Sequence, residues 1–236
     1  RTASRFRGDI ERTASLFAQT EAYGLDFTYA EADSGIGPCL AEFGEFARVE
    51  LDLIEVYMRD RKGTFLDVGA NIGAISLPIA ARLPDCRIIS VEANRRIAAI
   101  LCANAVNNRL GNVDVITAAL GRGSGLAKFP TPPLTTRLSY GELGKHLADT
   151  MPTEVVRLCA LDDIAPDDTR LVKVDVEGAE ETVLEGAGRV LREVRPVWVI
   201  EANPRTRAQT ARVMRTLIEA QYRLFWLYTP FVLPKP

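Results

Sequence analysis

Phe65-Leu66-Asp67-Val68-Gly69-Ala70-Asn71-Ile72-Gly73 constrains this chain more than any other stretch. It is an apolar run ending in an acid, then a glycine-bearing turn, then the start of a helical pattern. A second run, Ile88-Ile89-Ser90-Val91-Glu92-Ala93-Asn94, also ends in an acid. Two such units in succession demand parallel strands joined by a helix. In an open α/β sheet the crevice beyond the carboxyl ends of the strands is where ligands bind. Glycines there allow backbone conformations and approaches that other residues do not. Glu92 follows Asp67 by 25 positions, close to the roughly 20 expected of an acid that binds ribose hydroxyls.

The turn also discriminates between nucleoside cofactors. A dinucleotide loop reads G-x-G-x-x-G/A, its middle glycine letting the backbone meet a pyrophosphate. Counted from Gly69, that middle position is Asn71. Asp67, two residues before Gly69, suits a ligand carrying an ammonium or sulfonium group better than a diphosphate. The residues therefore favour S-adenosylmethionine (SAM) over NAD. A tight βα turn with no ligand is the plainer reading of the turn by itself, and Glu92 weighs against it.

From Thr64 onward the chain alternates strand and helix patterns. Strands are expected at Thr64–Val68, Cys86–Val91, Val113–Ala118, Val155–Cys159, Leu171–Val176 and Pro196–Ile200, with a short one at Leu126–Phe129 and a last one at Tyr222–Tyr228. Helices are expected at Ala74–Arg82, Arg95–Asn108, Ala179–Leu191 and Arg207–Ala220. Residues 134–152 read as loop or short helix over the cofactor end of the sheet. Before Thr64, Ile10, Ala14, Phe17 and Ala18 suggest an amphipathic helix within residues 1–30, and Phe43 to Met58 a second helix. Ser34–Pro38 reads as loop. This alternation predicts an α/β, doubly wound, mostly parallel sheet covered on both faces. With 236 residues, 47% hydrophobic and 25% charged, one globular core is expected.

Asp67, Glu92, Asp175 and Glu201 each end an apolar run. Four acids on one sheet edge suggest a site for a cationic ligand; helix capping is the bland alternative, and it explains Asp67 and Glu92 poorly. Lys173 lies inside a run that should be buried. A buried lysine needs a partner, and Asp175, two residues on, shares its strand face. Glu177 and Gly178 form the turn into the next helix. Glu180, in that helix's first turn, suits the helix dipole. His146, the sole histidine, has an ordinary pKa suited to a general base, although a lone histidine is more often incidental.

The net charge of −2 gives no sign of a polyanion partner. The four cysteines, Cys39, Cys86, Cys102 and Cys159, show no C-x-x-C pair and read as small buried hydrophobes in a reducing compartment. No apolar run reaches the roughly 18–20 residues of a membrane span, and no signal-peptide pattern is visible. A cytoplasmic location is expected, with no nucleic acid and no membrane among the partners.

These motifs together resemble the FkbM family of SAM-dependent methyltransferases. The resemblance rests on residues 65–73, Val91-Glu92-Ala93-Asn94, Thr117-Ala118-Ala119-Leu120-Gly121, Leu161-Asp162-Asp163-Ile164, Val172-Lys173-Val174-Asp175-Val176-Glu177-Gly178-Ala179-Glu180, and Arg195-Pro196 leading to Glu201. It reaches back to Gly44-Glu45-Phe46 and Glu50, and forward to Tyr222–Pro230. It implies a class I methyltransferase fold, Rossmann-like, with seven strands of which the last is antiparallel. It divides the chain into an N-terminal helical extension at 1–60 and a methyltransferase domain at 61–236. The reaction implied is O-methylation of a hydroxyl on a sugar, polysaccharide or natural product.

Carried over by position, Asp67, Gly69, Asn71 and Gly73 line the methionine end of SAM, and Glu92 holds the ribose, with Asn94 counted beside it. Ala118 and Ala119 flank the adenine. Asp175 and Glu177 face the transferred methyl and the acceptor. Candidate bases are Asp175, Glu177 and His146. A carboxylate pair could hold a divalent cation, but nothing in the spacing demands one, and no metal is assigned. The expected partner is a small-molecule or glycan acceptor, and a homodimer is the assembly considered. The family commonly has Pro after the ribose acid, where this chain has Ala93. The rival readings are a nicotinamide-dependent oxidoreductase on a similar sheet and a non-catalytic SAM-binding protein.

Overall fold

The structure, a computed structural model, describes residues 15–144, 147, 149–202 and 207–227. The central element is β3 (Thr64–Val68), buried along its whole length. β4 (Arg87–Glu92) and β5 (Val113–Thr117) lie parallel on one side of it. β9 (Thr169–Val174) and β10 (Val197–Ile200) lie parallel on the other, giving the order β5-β4-β3-β9-β10. This is an α/β architecture with a parallel central sheet. The seven strands expected are five in the parallel sheet among the described residues. Tyr222–Leu227 lies in no strand, so the last strand expected does not form over that stretch; Tyr228 lies outside the described residues.

Strand alternation sends each sheet face into its own core. Leu66, Ile89, Val91, Val172 and Val174 pack with α6 (Glu180–Glu185) and α7 (Arg207–Glu219), through Val183, Leu184, Val213 and Leu217. Phe65, Ile88 and Leu171 pack on the opposite face with Leu51, Ile54 and Met58 of α2 (Arg48–Met58) and Ile79 of α3 (Ser76–Arg82). α4 (Arg95–Asn107) is capped by Asn94, whose Oδ1 accepts from Arg96 N at 3.0 Å. A second sheet, β6 (Ala119–Leu120), β8 (Thr153–Cys159) and β7 (Gly125–Pro130), stands beside the first. α5 (Leu161–Ile164) follows β8. The helix expected at Ala179–Leu191 is α6 followed by a separate wide turn at Val190–Val194.

The N-terminal expectation needs correction. Phe17 and Ala18 do not belong to a helix. β1 (Phe17–Ala22) and β2 (Leu25–Ala30) form an antiparallel hairpin. Its turn is Tyr23-Gly24, both with positive φ (55° and 73°). That geometry matches the twist of paired strands, and Leu25 and Phe27 alternate inward as a strand requires. Residues 1–14 lie outside the described residues. The helix expected from Phe43 to Met58 begins only at Arg48, as α2; Phe43 instead ends an earlier helix, α1 (Ile36–Phe43), which stops at Gly44 (φ 71°). The loop expected at Ser34–Pro38 runs into α1 at Ile36.

The hairpin docks on α4 through side-chain amides. Asn104 Oδ1 accepts from Thr28 N (2.8 Å) and its Nδ2 donates to Thr28 O (3.0 Å). Asn108 repeats the pattern with Asp26 N (2.9 Å) and Asp26 O (2.7 Å). Positions four apart on a helix are about 6 Å apart along its axis, and alternate residues of a strand are separated by slightly more, about 6.6 Å. The two amides therefore meet the backbone groups along one edge of β2. Asn104 Nδ2 also donates to Ile72 O (3.1 Å), which ties the hairpin to the turn after β3.

Candidate active site

The ladder continues past the last strand residues and brings the strand ends level. Asp175 N donates to Val68 O (3.0 Å), Glu201 N to Val174 O (3.0 Å), and Ala118 N to Glu92 O (3.1 Å). A cavity of about 720 Å³ opens beyond these ends. Asp67, Gly69, Asn71, Glu92, Asn94, Ala118, Ala119, Asp175 and Glu177 all line it, together with Lys173 and Glu201. The opposite wall comes from Ser34, Gly35, Ile36 and Cys39 and from Ser139 to Leu143. Asp33 fastens these two wall segments: Oδ1 accepts from Gly35 N and Tyr140 N (both 3.2 Å), Oδ2 from Gly37 N (2.8 Å). Ser139–Leu143 lies within residues 134–152, the stretch expected over the cofactor end of the sheet, whereas no motif marks Ser34–Cys39 as a wall.

Two of the residues expected in the site are not seen in its lining. Gly73 is no part of the cavity. Its φ is +92°, and a Cβ there would lie 2.5 Å from Leu101 Cδ1 and 2.6 Å from Leu77 Cγ, so glycine answers to packing under α3 and α4. His146 lies outside the described residues. Gly69 lines the cavity for a different reason from the one expected. Its φ is +87°, and a Cβ would point into the sheet, 1.8 Å from Asp175 O. Glycine there lets two strand ends approach each other.

Every backbone N–H of the turn is used internally. Gly69 N and Ala70 N donate to Val91 O (2.9 and 3.0 Å), and Gly73 N to Ala70 O (2.9 Å). Asn71 N donates to Glu92 Oε2 (3.0 Å) and Ile72 N to Asn71 Oδ1 (2.8 Å). Glu92 Oε1 accepts from Asn94 N (2.7 Å). Each Glu92 oxygen thus keeps one lone pair for a ligand. Burial pushes the Glu92 carboxyl up to about 7, opposed by the amides of Asn94 and Asn71 and reinforced by Asp67.

Asp67 is 1% exposed. Its Oδ2 accepts from Ser76 Oγ (2.5 Å), whose hydroxyl is in turn reached by Ser90 Oγ (2.9 Å). Its Oδ1 has no hydrogen-bond partner among the described residues, and neither does Asn94 Nδ2. Lys173 Nζ lies 3.1 Å from Asp175 Oδ2 and 3.7 Å from Asp67 Oδ1, so Asp175 is the partner its sequence position called for. Burial would lower the Lys173 pKa, but Asp175, Asp67 and Glu50 outweigh it and raise it. Glu50 of α2, an acid no motif assigned to the site, is itself held above the usual range by burial, against the pull of Lys173.

On the far side of Lys173 from Asp67, Asp175, Glu177 and Glu201 bring carboxylate oxygens within 4.8 Å of one another. Groups so close share protons or cations. Burial, then Asp175, then Glu142 raise Glu177 to about 7. Burial, then Asp175 and Glu177, raise Glu201 to about 8. Glu177 sits at φ 48° and Gly178 at φ 95°. Glu180 secures this turn, its Oε1 accepting from Val176 N (3.3 Å) and Gly178 N (3.1 Å). Its place is thus in the scaffold beneath Glu177.

A family model described as the methyltransferase FkbM domain matches residues 67–224, well over half of the chain. The chain belongs to the methyltransferase FkbM domain family. Among solved structures it is similar to the FkbM methyltransferase of Methylobacillus flagellatus KT, at 20% identity over 66% of this chain and 36% of that one, with a TM-score of 0.47. It is also similar to precorrin-6y C5,15-methyltransferase of Geobacter metallireducens GS-15, at 17% identity over 75% and 71%, TM-score 0.46. A third is TYW2 of M. jannaschii, solved with AdoMet, at 21% identity over 45% of each chain, TM-score 0.37. No curated protein matches the chain. No helix among the described residues is long and apolar enough to cross a membrane.

Proposed function

We propose that this chain is a SAM-dependent O-methyltransferase acting on a hydroxyl of a sugar, polysaccharide or natural product. The observation that carries the reading is the pattern of open and closed polar atoms around one cavity. Asp67 Oδ1 is a buried acceptor with no hydrogen bond, 3.7 Å from the Lys173 ammonium, and Asn94 Nδ2 is a buried donor with none; each Glu92 oxygen accepts one backbone amide. A ligand with an ammonium group, a ribose diol and a base with acceptor nitrogens answers all three. A diphosphate needs free backbone N–H groups at the turn, and here the amides of residues 69–73 are all bonded within the protein. That pattern favours SAM over NAD.

Asp67, Gly69 and Asn71 would hold the methionine end, Glu92 the ribose, and Asn94, Ala118 and Ala119 the nucleoside's far side. When bound, SAM supplies a methyl group activated by its sulfonium. The chain's own part is to align the acceptor, exclude water and take the acceptor's proton. Glu177, held near 7, is matched to proton transfer at neutral pH, and Asp175 is the other carboxylate base in reach. The walls at Ser34–Cys39 and Ser139–Leu143 shape the acceptor pocket.

Calorimetric titration with SAM, S-adenosylhomocysteine and NAD tests the reading. Binding of the first two and not of NAD is expected. NAD binding without SAM binding returns the oxidoreductase. SAM binding with no methyl release across a hydroxyl-acceptor screen returns the non-catalytic SAM-binding protein.

A further inference from the structure

We infer that Lys173 is a positioning residue for cofactor capture, clamping the buried carboxylate of Asp67 and that of Asp175 in fixed orientations at the cavity wall. The inference rests on the proposed SAM function. Asp67 and Lys173 are direct cross-strand partners in the β3–β9 register, and their side chains therefore share one sheet face. Lys173 is 5% exposed and lines the cavity. Its ammonium lies 3.1 Å from Asp175 and 3.7 Å from Asp67. Asp67 is gripped from the far side by Ser76. With one oxygen held by a hydroxyl and the other steered by an ammonium, the carboxylate has one orientation.

A purely structural ion pair is a weaker explanation. β3 and β9 are already paired in register from Phe65 to Val68, with one register shift at Thr64/Phe65, and a well-packed apolar residue serves a buried strand position at least as well as a buried charge. A simple charge count also fails, because a cation beside the seat of a cationic ligand opposes binding. The lysine makes sense where two neighbouring carboxylates would otherwise repel and turn apart.

The two accounts predict opposite signs. SAM affinity is measured by calorimetry for the wild type, Lys173→Met, Asp67→Asn and the double variant, with thermal unfolding to confirm the fold. Lys173→Met is expected to weaken SAM binding about tenfold. In the Asp67→Asn background the same change is expected to matter less than about threefold, since the oxygen it steers no longer carries charge. Tighter or unchanged binding in Lys173→Met, or an equal loss in both backgrounds, overturns the inference. Should Lys173→Met fail to fold, Lys173→Arg takes its place in both backgrounds. It keeps the charge and displaces it, and undiminished SAM affinity in that variant likewise overturns positioning. A wild-type chain that binds no SAM overturns this inference and the proposed function together. SAM binding with an additive cycle overturns only the role of Lys173.

Discussion

Glu92 holds the turn with both its oxygens, and the proposed ribose contact would use the same two. Glu92→Ala should lower SAM affinity at least about tenfold, because charge-assisted hydrogen bonds are worth roughly 1.5–3 kcal/mol each. Unchanged affinity by calorimetry would place the ribose elsewhere. At the chemical end, Asp175→Asn or Glu177→Gln keeps the side chain's size and removes its power to accept a proton. Turnover should fall by about 10²–10⁴-fold in the variant that loses the base while SAM affinity holds. Two fully active variants, read by methyl release once an acceptor is found, would dismiss the carboxylate bases. The acids at strand ends were legible in the sequence because an apolar run that stops at a carboxylate can face only the crevice. Gly73 does not line the cavity, and a glycine required by Leu77 and Leu101 looks, in one dimension, the same as a glycine required by a ligand. Glu50 was named within the resemblance without a place in the site, since only the docking of α2 on the sheet brings it near Lys173.

Among the elements, the parallel strands were readable because burial on both faces leaves continuous apolar runs. The hairpin was not. Phe17 and Ala18 fit a helical spacing as well as a strand, and the deciding signal was the Tyr23-Gly24 turn ahead of the alternating Leu25 and Phe27. Two substitutions test how elements are joined. Gly69→Ala forces a Cβ toward Asp175 O from a positive-φ backbone, at a cost of roughly 2–5 kcal/mol. Gly123→Ala, with nothing within 4 Å, should be nearly neutral. Equal denaturation midpoints for the two would contradict the close approach of the strand ends. Asn104→Ala strands Thr28 N, Thr28 O and Ile72 O, and about 2–4 kcal/mol of stability should go with it. Thermal unfolding should fall by about 5–15 °C.

At the scale of the whole molecule, the cavity joins acids whose folded pKa values lie above their unfolded ones: Glu92 and Glu177 at about 7, Glu201 at about 8. Such groups bind protons more tightly in the folded state than in the unfolded chain. The ligand-free protein should therefore lose stability as pH rises from about 4.5 to 8. Lys173, raised rather than lowered, contributes nothing to the change in that window. Melting temperature against pH should slope downward, and Glu177→Gln should flatten the slope; a profile rising to pH 8 would contradict the crowding. The α4 amides have a consequence for life at high concentration. A two-stranded ribbon normally offers an unfilled row of backbone donors and acceptors to any passing chain. Asn104 and Asn108 fill that row at Asp26 and Thr28, so a helix does for this ribbon what a third strand would do. The β2 edge of the ribbon is thereby closed to another strand, and a chain lacking both amides should scatter light more than the natural sequence as concentration rises.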